Sequence, residues 1–239
     1  MDPIYPFCFI DAIHYKIKED GRIVNRAAYV VLGVTLDGEK DILSVTIGAN
    51  ESSKFWLVML NDLKTRGVMD VLFFCVDGLP DFKEAINTVY PNAVVQRCII
   101  HMLRNSFKYV SYKDIKKFAS DFKAVYKAPN EEIALAELEI LKEKCGKKYP
   151  YAISNWENNW DVVSPYFSFS DDIRRIMYTT NIIDGLNRQF RKVTKTKSSF
   201  TNDTSLEKMI YLATMNVLKK WTQIYMNWDM VLSQLCIFI

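Results

Sequence analysis

The feature of the sequence that most constrains the fold is an apolar run, residues 71–76, which ends at the pair Asp77-Gly78. The run is too short for a typical helix, and a turn-forming pair follows it, so it predicts a strand whose two faces are both buried. Strands of parallel sheets, which carry helices on both faces, typically show such a continuous apolar run. The run therefore favours an α/β fold.

Segments before and after this run fit the same kind of fold. Apolar, aromatic and β-branched residues predict strands over residues 5–18, 27–35, 42–47 and 93–97. Asp37-Gly38 predicts a two-residue hairpin turn, so we expect the first three strands to be antiparallel. Helices are predicted from Ser53, as N-cap, to near Gly67 and over residues 81–89. An antiparallel start followed by alternating strands and helices indicates a mixed sheet.

The chain after His101 has a different pattern. No strand pattern recurs, and helices are predicted over residues 112–126, 131–144, 149–163 and 205–220. The aromatic and apolar tail, residues 221–239, is expected to dock onto the body of the protein or onto a partner.

One segment, residues 178–195, predicts an amphipathic helix with two distinct faces. Its apolar face is formed by Ile183, Leu186, Phe190 and Val193. Its remaining surface collects one acid with polar and basic side chains: Asp184, Asn187, Arg188, Arg191 and Lys195. The formal net charge of the chain is only +3, so affinity for a phosphate polymer must come from local clusters, of which residues 174–197 are the clearest. A basic helix face is also compatible with a merely solvated surface.

Cysteine usage and hydropathy indicate where the protein is located. The five cysteines are scattered and include no C-x-x-C pair, which argues against a disulfide framework and a four-cysteine zinc site. No apolar stretch approaches the roughly 18–20 residues of a membrane span, and the N-terminus lacks the features of a signal peptide. We therefore expect a soluble cytoplasmic protein without membrane contact.

Three acidic residues are candidates for catalysis. Asp77 follows the buried strand, at the edge where α/β sheets bind ligands, and Asp11 lies within the first strand, where an unpaired carboxylate is costly to bury. Each has a simpler explanation, because Asp before Gly is a common turn and Asp11 could be paired with a lysine. If the two strands are neighbours, both carboxylates meet at one site, and a helix packed on the sheet can add Asp184. Divalent cations such as Mg²⁺ or Mn²⁺ would then neutralise their mutual repulsion.

Four stretches of the chain, spread over nearly its whole length, match one family: residues 9–12 (Phe-Ile-Asp-Ala), 76–79 (Val-Asp-Gly-Leu), 96–105 and 178–195. Together they resemble the catalytic domain of the mutator-type transposases of bacterial insertion sequences, a branch of the DDE transposases. The resemblance implies an α/β fold, a ribonuclease H-like mixed sheet flanked by helices, with an all-helical insertion before the last catalytic acid. It divides the chain into the first part of the catalytic core (1–106), the insertion (107–170), the C-terminal helices of the core with the third acid (171–220) and the apolar tail (221–239).

The resemblance also implies the chemistry. Asp11, Asp77 and Asp184 would bind two divalent ions, Mg²⁺ or Mn²⁺, that activate water and then a DNA 3′-hydroxyl for attack on phosphodiesters. The expected function is metal-dependent DNA strand cleavage and strand transfer at insertion-sequence ends. The family's third acid is glutamate, whereas this chain has Asp184, which is one methylene shorter. The alternative is a truncated or decayed transposase that acts only as a non-catalytic DNA-binding or assembly module.

Further residues receive expected roles. Those assigned to DNA phosphates are Arg188, Arg191, Lys192 and Lys195, with Arg104 and Lys108 as weaker candidates. Cys98 and His101 form a C-x-x-H pair that the family shares; without a second ligand pair a structural zinc site is disfavoured, and a place near the active site is preferred. Trp156 and Trp160 are spaced for helix packing, although the resemblance also allows stacking on a DNA base.

The resemblance implies DNA partners, namely the element ends and the target, and a homo-oligomer on that DNA, associated with the bacterial nucleoid. Transposases of this type carry helical DNA-binding segments before the core, and the first predicted strand here begins at Tyr5. We therefore expect the isolated chain to bind DNA weakly, without sequence specificity and with strong salt dependence.

Overall fold

The computed structural model describes residues 1–48, 52–78, 81–178 and 181–237 of the chain. The chain forms two compact units. Unit 1 comprises Met1–Val95 and Thr180–Ile239, and unit 2 comprises Gln96–Thr179. Unit 2 is thus inserted, in sequence, between the two segments of unit 1.

The described residues form five strands and eleven α-helices. The strands are β1 (Ile4–Glu19), β2 (Arg22–Val34), β3 (Lys40–Gly48), β4 (Asp70–Val76) and β5 (Val94–Arg97). The helices are α1 (Ser53–Thr65), α2 (Phe82–Val89), α3 (Ile99–Phe107), α4 (Ile115–Tyr126), α5 (Glu131–Cys145), α6 (Pro150–Glu157), α7 (Trp160–Val163), α8 (Asp171–Tyr178), α9 (Asn181–Thr194), α10 (Asp203–Leu218) and α11 (Trp228–Leu235).

The strands form one mixed sheet in the order β3-β2-β1-β4-β5. β1 and β2 pair antiparallel, as do β2 and β3, whereas β1 and β4 pair in parallel. The predicted antiparallel start and mixed sheet are therefore confirmed, and the apolar run that predicted a buried parallel strand is β4. The long strand β1 lies in the middle of the sheet, between an antiparallel and a parallel neighbour.

The connection between β1 and β2 is shorter than the sequence predicted. Asp20 and Gly21 have positive φ angles of +48° and +77°, as a two-residue hairpin turn requires. The strands therefore continue to Glu19 and resume at Arg22, whereas the prediction left residues 19–26 outside both strands. These outer strand ends carry charged side chains, for example Arg26, which donates to Glu19 at 2.7 Å. Because these strand ends are charged, they lack the apolar pattern from which a strand is predicted.

One face of the sheet is covered by α1 and α2. Trp56 of α1 belongs to a buried cluster that also contains Ile10 of β1 and the apolar side of α2. The N-cap of α1 is Ser52, whose hydroxyl accepts a hydrogen bond from the backbone of Phe55 at 3.3 Å. The predicted N-cap, Ser53, is instead the first residue of the helix, so this prediction was wrong by one position.

The opposite face of the sheet carries the C-terminal helices. Side chains alternate along β1, so Ile10 projects into the α1–α2 cluster and Asp11 projects to the other side. On that side α9 contacts β1, and Trp228 of α11 contacts Phe7 with ring centroids 6.4 Å apart. The elements that follow unit 2 in sequence therefore complete the second helical layer of unit 1.

Trp228 attaches the apolar tail to unit 1. Its side chain is 4 % exposed, and its Nε1 donates to the carbonyl oxygen of Leu36 at 2.7 Å. The indole lies against Gly38, where a Cβ would approach Trp228 Cγ to 2.6 Å. Gly38 also has a φ of +78°, which favours glycine, and it lies in a five-residue connection, residues 35–39, where the sequence predicted a two-residue turn. Of the two predicted alternatives for the tail, the structure shows docking onto the body.

Unit 2 is helical and has its own core, which includes Phe122 and Trp156. The segment predicted as one helix over residues 149–163 is divided into α6 and α7. Asn159 explains the break, because its side-chain amide donates to the backbone oxygen of Asn155 at 2.7 Å and so competes with the helical hydrogen bonds. Among the described residues, no helix of either unit is both long and apolar enough to cross a membrane.

Candidate active site

Asp11 and Asp77 occupy adjacent positions on neighbouring strands. In the parallel pairing of β1 with β4, Ile10 lies opposite Val76, and an acidic residue follows each of them directly. Neighbouring strands are about 4.8 Å apart. The shared site was predicted on the condition that these two strands are neighbours, and that condition is met. Both acidic residues are half-buried.

In both acidic residues, one carboxylate oxygen accepts a hydrogen bond from the backbone N–H of the next residue. Asp11 Oδ1 accepts a hydrogen bond from the N–H of Ala12 at 2.8 Å. Asp77 Oδ1 accepts one from the N–H of Gly78, also at 2.8 Å. These local bonds restrict the rotation of both carboxylates before any ligand arrives, which lowers the entropic cost of binding.

Asn187 makes the contact between α9 and Asp11. Its side-chain amide donates a hydrogen bond to Asp11 Oδ2, and the residue is 2 % exposed. Asp184 precedes Asn187 by three residues, about 4.5 Å along the helix axis, and shares its side of the helix. Asp184 itself is half-buried in the first turn of α9. The face of α9 that carries the third acid is therefore the face that meets β1 at Asp11.

The buried face of α9 differs from the prediction at two positions. The predicted face was right at Ile183, Leu186 and Phe190, all of which are buried. Val193, predicted to be buried, is 42 % exposed, and Thr194 is buried beside it. The Thr194 hydroxyl satisfies its own hydrogen bond by donating to Phe190 O at 2.9 Å, which allows a polar residue at this position.

Asn187 is the second difference, and it is the site residue that the sequence prediction missed. We placed it on the solvated surface because an amide on a helix gives no apolar signal. Its burial depends on a partner from a different element, Asp11, which lies 176 residues away in the chain. The one indication in the sequence that Asn187 belongs to the site is its spacing of three residues from Asp184.

Contacts beyond the end of α9 also fix this helix to β1. The backbone of Phe200 donates to Lys16 O and accepts from the N–H of Lys18, both at 2.8 Å. The Phe200 ring packs edge-on against Tyr15 with centroids 5.9 Å apart. The helix is thus held to the same strand near its start, by Asn187, and just after its end.

A row of basic side chains starts one turn after Asp184. Arg188, Arg191 and Lys195 follow at spacings of four, three and four residues and so share one stripe of the helix, with Lys192 beside it. All four are exposed. We call these four residues the basic row.

One member of the basic row, Arg191, lies near Tyr15 of β1. Burial raises the pKa of the Tyr15 phenol, and the charge of the nearby Arg191 opposes this rise.

Arg174, which the sequence grouped with these cations, has a different role. It lies in unit 2 and is buried. Its guanidinium donates at 2.6–2.9 Å to the backbone carbonyl oxygens of Phe167, Phe169, Ala128 and Pro129. Arg174 therefore joins three backbone segments of the helical unit, and four of its five N–H donors bond to backbone oxygens.

The remaining predicted site residues also lie in unit 2. Cys98 is buried at the N-cap position of α3, while His101 is half-buried and Arg104 is exposed on the same helix. Lys108, which follows α3, is exposed and donates to Asn105 Oδ1 at 2.7 Å. Three residues of the matching stretches, Leu79, Thr179 and Thr180, lie outside the described residues.

The two tryptophans of unit 2 differ in exposure. Trp156 is fully buried, and its Nε1 donates to Ser106 Oγ at 2.9 Å, as the helix-packing interpretation predicts. Trp160 is half-buried, stacks on Phe167 with centroids 5.8 Å apart and donates to Glu131 Oε1 at 2.8 Å. Trp156 therefore has no surface on which a base could stack.

The donor atoms at this site are of the kind that binds a divalent cation. Carboxylate oxygens such as those of Asp11 and Asp77 are the hard ligands that Mg²⁺ and Mn²⁺ prefer, and the two residues lie on adjacent strands. Within residues 1–48, 52–78, 81–178 and 181–237, however, no three His, Cys, Asp or Glu side chains are grouped so that they could hold a metal ion. The donors fit in kind, and the chain provides a pair of carboxylates with the face of α9 beside them.

Comparison with known proteins gave consistent matches. The family model described as "Transposase, Mutator family" matches residues 1–224. The chain is 41 % identical over 225 residues to the transposase for insertion sequence element ISRM3 of Rhizobium meliloti (strain 1021), covering 94 % of this chain and 56 % of the relative. It is 39 % identical over 218 residues to a probable insertion-sequence transposase of Corynebacterium diphtheriae, covering 91 % and 64 %. It is 31 % identical over 211 residues to the transposase for IS905 of Lactococcus lactis subsp. lactis (strain IL1403), covering 88 % and 53 %. The chain thus spans little more than half the length of most of these relatives.

Proposed function

Because the chain belongs to the Mutator family of transposases, we propose that it is the catalytic part of a DNA transposase, which cleaves and joins DNA strands at the ends of an insertion sequence. One observation carries the proposal: β1 pairs with β4 so that Asp11 and Asp77 are adjacent, and α9 reaches Asp11 through Asn187. Three elements from distant parts of the sequence thereby converge on one pair of carboxylates. The relatives named above are transposases for insertion sequence elements.

The proposal extends to the fold. The resemblance implies a ribonuclease H-like core, and the mixed sheet supports this classification: three antiparallel strands are followed by a parallel neighbour of β1. Unit 2, residues 96–179, contains the segment 107–170 that the resemblance assigns to the insertion before the last acid.

In the proposed mechanism Asp11, Asp77 and Asp184 hold two divalent cations, Mg²⁺ or Mn²⁺. When bound, such ions lower the pKa of an attacking hydroxyl and stabilise the charge that develops on the phosphate oxygens. The protein's own contribution is orientation. The hydrogen bonds from Ala12, Gly78 and Asn187 hold the carboxylates so that few rotamers remain to be lost on binding.

Two displacements at phosphorus account for the proposed activity. In strand cleavage, water forms a bond to the phosphorus at the element end, the bond to the 3′-oxygen breaks, and a 3′-hydroxyl and a 5′-phosphate are released. In strand transfer, that 3′-hydroxyl attacks a target phosphodiester and displaces the target's own 3′-oxygen, so one bond is exchanged for another. Neither step requires an oxidant or a reductant.

The DNA partners are held, in this proposal, by the basic row beside Asp184. Four exposed cations on one side of α9 suit a phosphate backbone, and their distance from the acid is only one to three helical turns. Arg104 is an additional candidate from unit 2. Because two element ends have to be cut, we propose a homo-oligomer on the DNA.

A strand-transfer assay with Mn²⁺ and duplex DNA that carries the element's terminal sequence tests the proposal. We expect Asp11→Ala and Asp77→Ala to abolish cleavage. The matched control is Asp62→Ala, which removes an exposed carboxylate from α1, where it pairs with Arg66 at 3.1 Å. Undiminished cleavage by Asp11→Ala would refute the proposed site.

The presence of Asp184 in place of glutamate favours a second candidate, a decayed transposase that only binds DNA. A displacement of about 1 Å at a reacting group can cost about a hundredfold in rate. If the wild-type chain is inactive and Asp184→Glu restores cleavage, the decayed form is correct. If both cleave and Asp184→Glu is faster by up to about a hundredfold, the chain is an active enzyme with a suboptimal third ligand.

A further inference from the structure

We propose that Asn187 is a positioning residue, whose amide holds the Asp11 carboxylate in the orientation that receives a divalent cation. The inference rests on the proposed function, because it concerns an acid that we assign to the metal. It assigns a role at the proposed site to a residue that is not one of the three acidic residues.

The burial of Asn187 indicates a functional reason for the amide. Its neighbours on the same helix face, Leu186 and Phe190, are fully buried, so the helix pattern alone would favour an apolar residue at this position. Asn187 Oδ1 is buried and has no hydrogen-bond partner within the described part of the chain. An unsatisfied buried acceptor is destabilising and uncommon in folded proteins. A polar group retained at such a position is expected where it serves a site, and here its donor is bonded to Asp11.

Two of the hydrogen bonds that Asp11 accepts reach different oxygens of its carboxylate. Ala12 N–H bonds to Oδ1, and the Asn187 amide bonds to Oδ2. A carboxylate oxygen carries two lone pairs, so an oxygen that accepts one hydrogen bond is still able to bind a cation. The plane of the carboxylate is thereby set by one bond from its own strand and one from α9.

The same hydrogen bond ties two proposed ligands together. Asp184 is on the helix that Asn187 fixes to β1, so the position of the third acid relative to Asp11 depends on this contact. Loss of the amide should therefore affect the cation site through both acids. Groups that orient metal ligands in this way typically change metal affinity by about 10–100-fold when they are removed.

Mn²⁺ binding to the full chain tests the inference without DNA or catalysis. We expect Asn187→Leu and the smaller Asn187→Ala to weaken Mn²⁺ binding by about 10–100-fold, measured as free Mn²⁺ by electron paramagnetic resonance. Thr194→Val is the matched control: Thr194 is also a buried polar residue of α9, but its hydroxyl bonds to carbonyls of its own helix. Its Mn²⁺ affinity should equal that of the wild type. Circular dichroism checks that each variant is folded, and Asn187→Ala remains informative if leucine does not fit.

The outcomes separate the inference from the function on which it rests. If Asp11→Ala abolishes Mn²⁺ binding but both Asn187 variants bind like the wild type, Asn187 is structural and only this inference fails. If the wild type binds no Mn²⁺, or Asp11→Ala binds it undiminished, the metal assignment fails and the inference fails with it. A selective loss in the Asn187 variants, with Thr194→Val unchanged, supports the positioning role.

Discussion

Asp184 lies on a helix that is held to β1 near its start and just after its end. The strand positions of Asp11 and Asp77 are set by the register of β1 and β4. The helix that carries Asp184 is held by Asn187 near its start and by Phe200 after its end. In the proposed site, a movement of α9 that compensated for a carboxylate one methylene shorter would be opposed by these contacts. Under the proposed function, the difference between Asp and Glu therefore affects the geometry of the site and not the fold.

A pH-dependent prediction concerns Asp114 in unit 2. Hydrogen bonds from Lys148, at 2.5 Å, and from Tyr149 hold the pKa of its carboxyl well below the ordinary value of 3.8. A pKa lowered by folding adds stability above the unfolded-state pKa, and that stability is lost as pH falls through the folded-state pKa. Asp114→Asn should therefore lower the melting temperature by a few degrees at pH 7, and the gap to the wild type should close from about pH 4 downwards.

The control for this prediction is Asp121→Asn, because Asp121 bonds to a single lysine, Lys144, at 2.8 Å. Its melting-temperature difference from the wild type should be smaller than that of Asp114→Asn at pH 7. Thermal melts followed by circular dichroism between pH 3 and 7 provide both comparisons. A difference for Asp114→Asn that stayed constant over this range would show that the carboxylate charge is not the cause.

At the scale of whole elements, most strands and helices were predictable because they follow from local patterns. The buried run of β4 and the apolar face of α9 each carry their signal within one element. The elements whose bounds differ from the prediction either depend on partners elsewhere in the chain or have polar sequences. The Asp20-Gly21 turn joins charged strand ends, and α6 stops where Asn159 competes for backbone bonds. The adjacency of Asp11 and Asp77 could be stated only as a condition, because strand order is not encoded in either strand.

An element-scale prediction concerns the basic row of α9. Each cation that neutralises a phosphate contributes about one unit to the slope of log K against log salt concentration. Arg188→Ala with Arg191→Ala should therefore weaken binding to any duplex and reduce that slope by about two. Fluorescence anisotropy with a labelled duplex at several NaCl concentrations measures both quantities.

The matched control removes two exposed lysines from other helices, Lys54 of α1 and Lys123 of α4. Lys54→Ala with Lys123→Ala changes the net charge by the same amount, so any effect of overall charge is common to both proteins. An equal loss of slope in the two double variants would mean that α9 has no special role in binding phosphate.

At the scale of the whole molecule, the chain builds two cores from three segments. Unit 1 needs both Met1–Val95 and Thr180–Ile239, since α9 and Trp228 pack on strands from the first segment. Unit 2 is continuous in sequence and has a separate buried cluster. Cores that are separate in this way are expected to open as separate cooperative units.

Two fully buried tryptophans, Trp56 in unit 1 and Trp156 in unit 2, test this expectation as a matched pair. Trp156→Phe should speed amide hydrogen exchange in residues 96–179 and leave β1 and β2 unchanged, while Trp56→Phe should do the reverse. Trp156 Nε1 donates to Ser106, whereas Trp56 Nε1 has no hydrogen-bond partner within the described part of the chain, so Trp156→Phe should cost about 1 kcal/mol more. Hydrogen exchange followed by mass spectrometry measures the exchange rate in each unit separately, from peptides that belong to that unit. If either variant accelerated exchange equally in both units, the two cores would form one cooperative unit, and the division of the chain would be one of geometry alone.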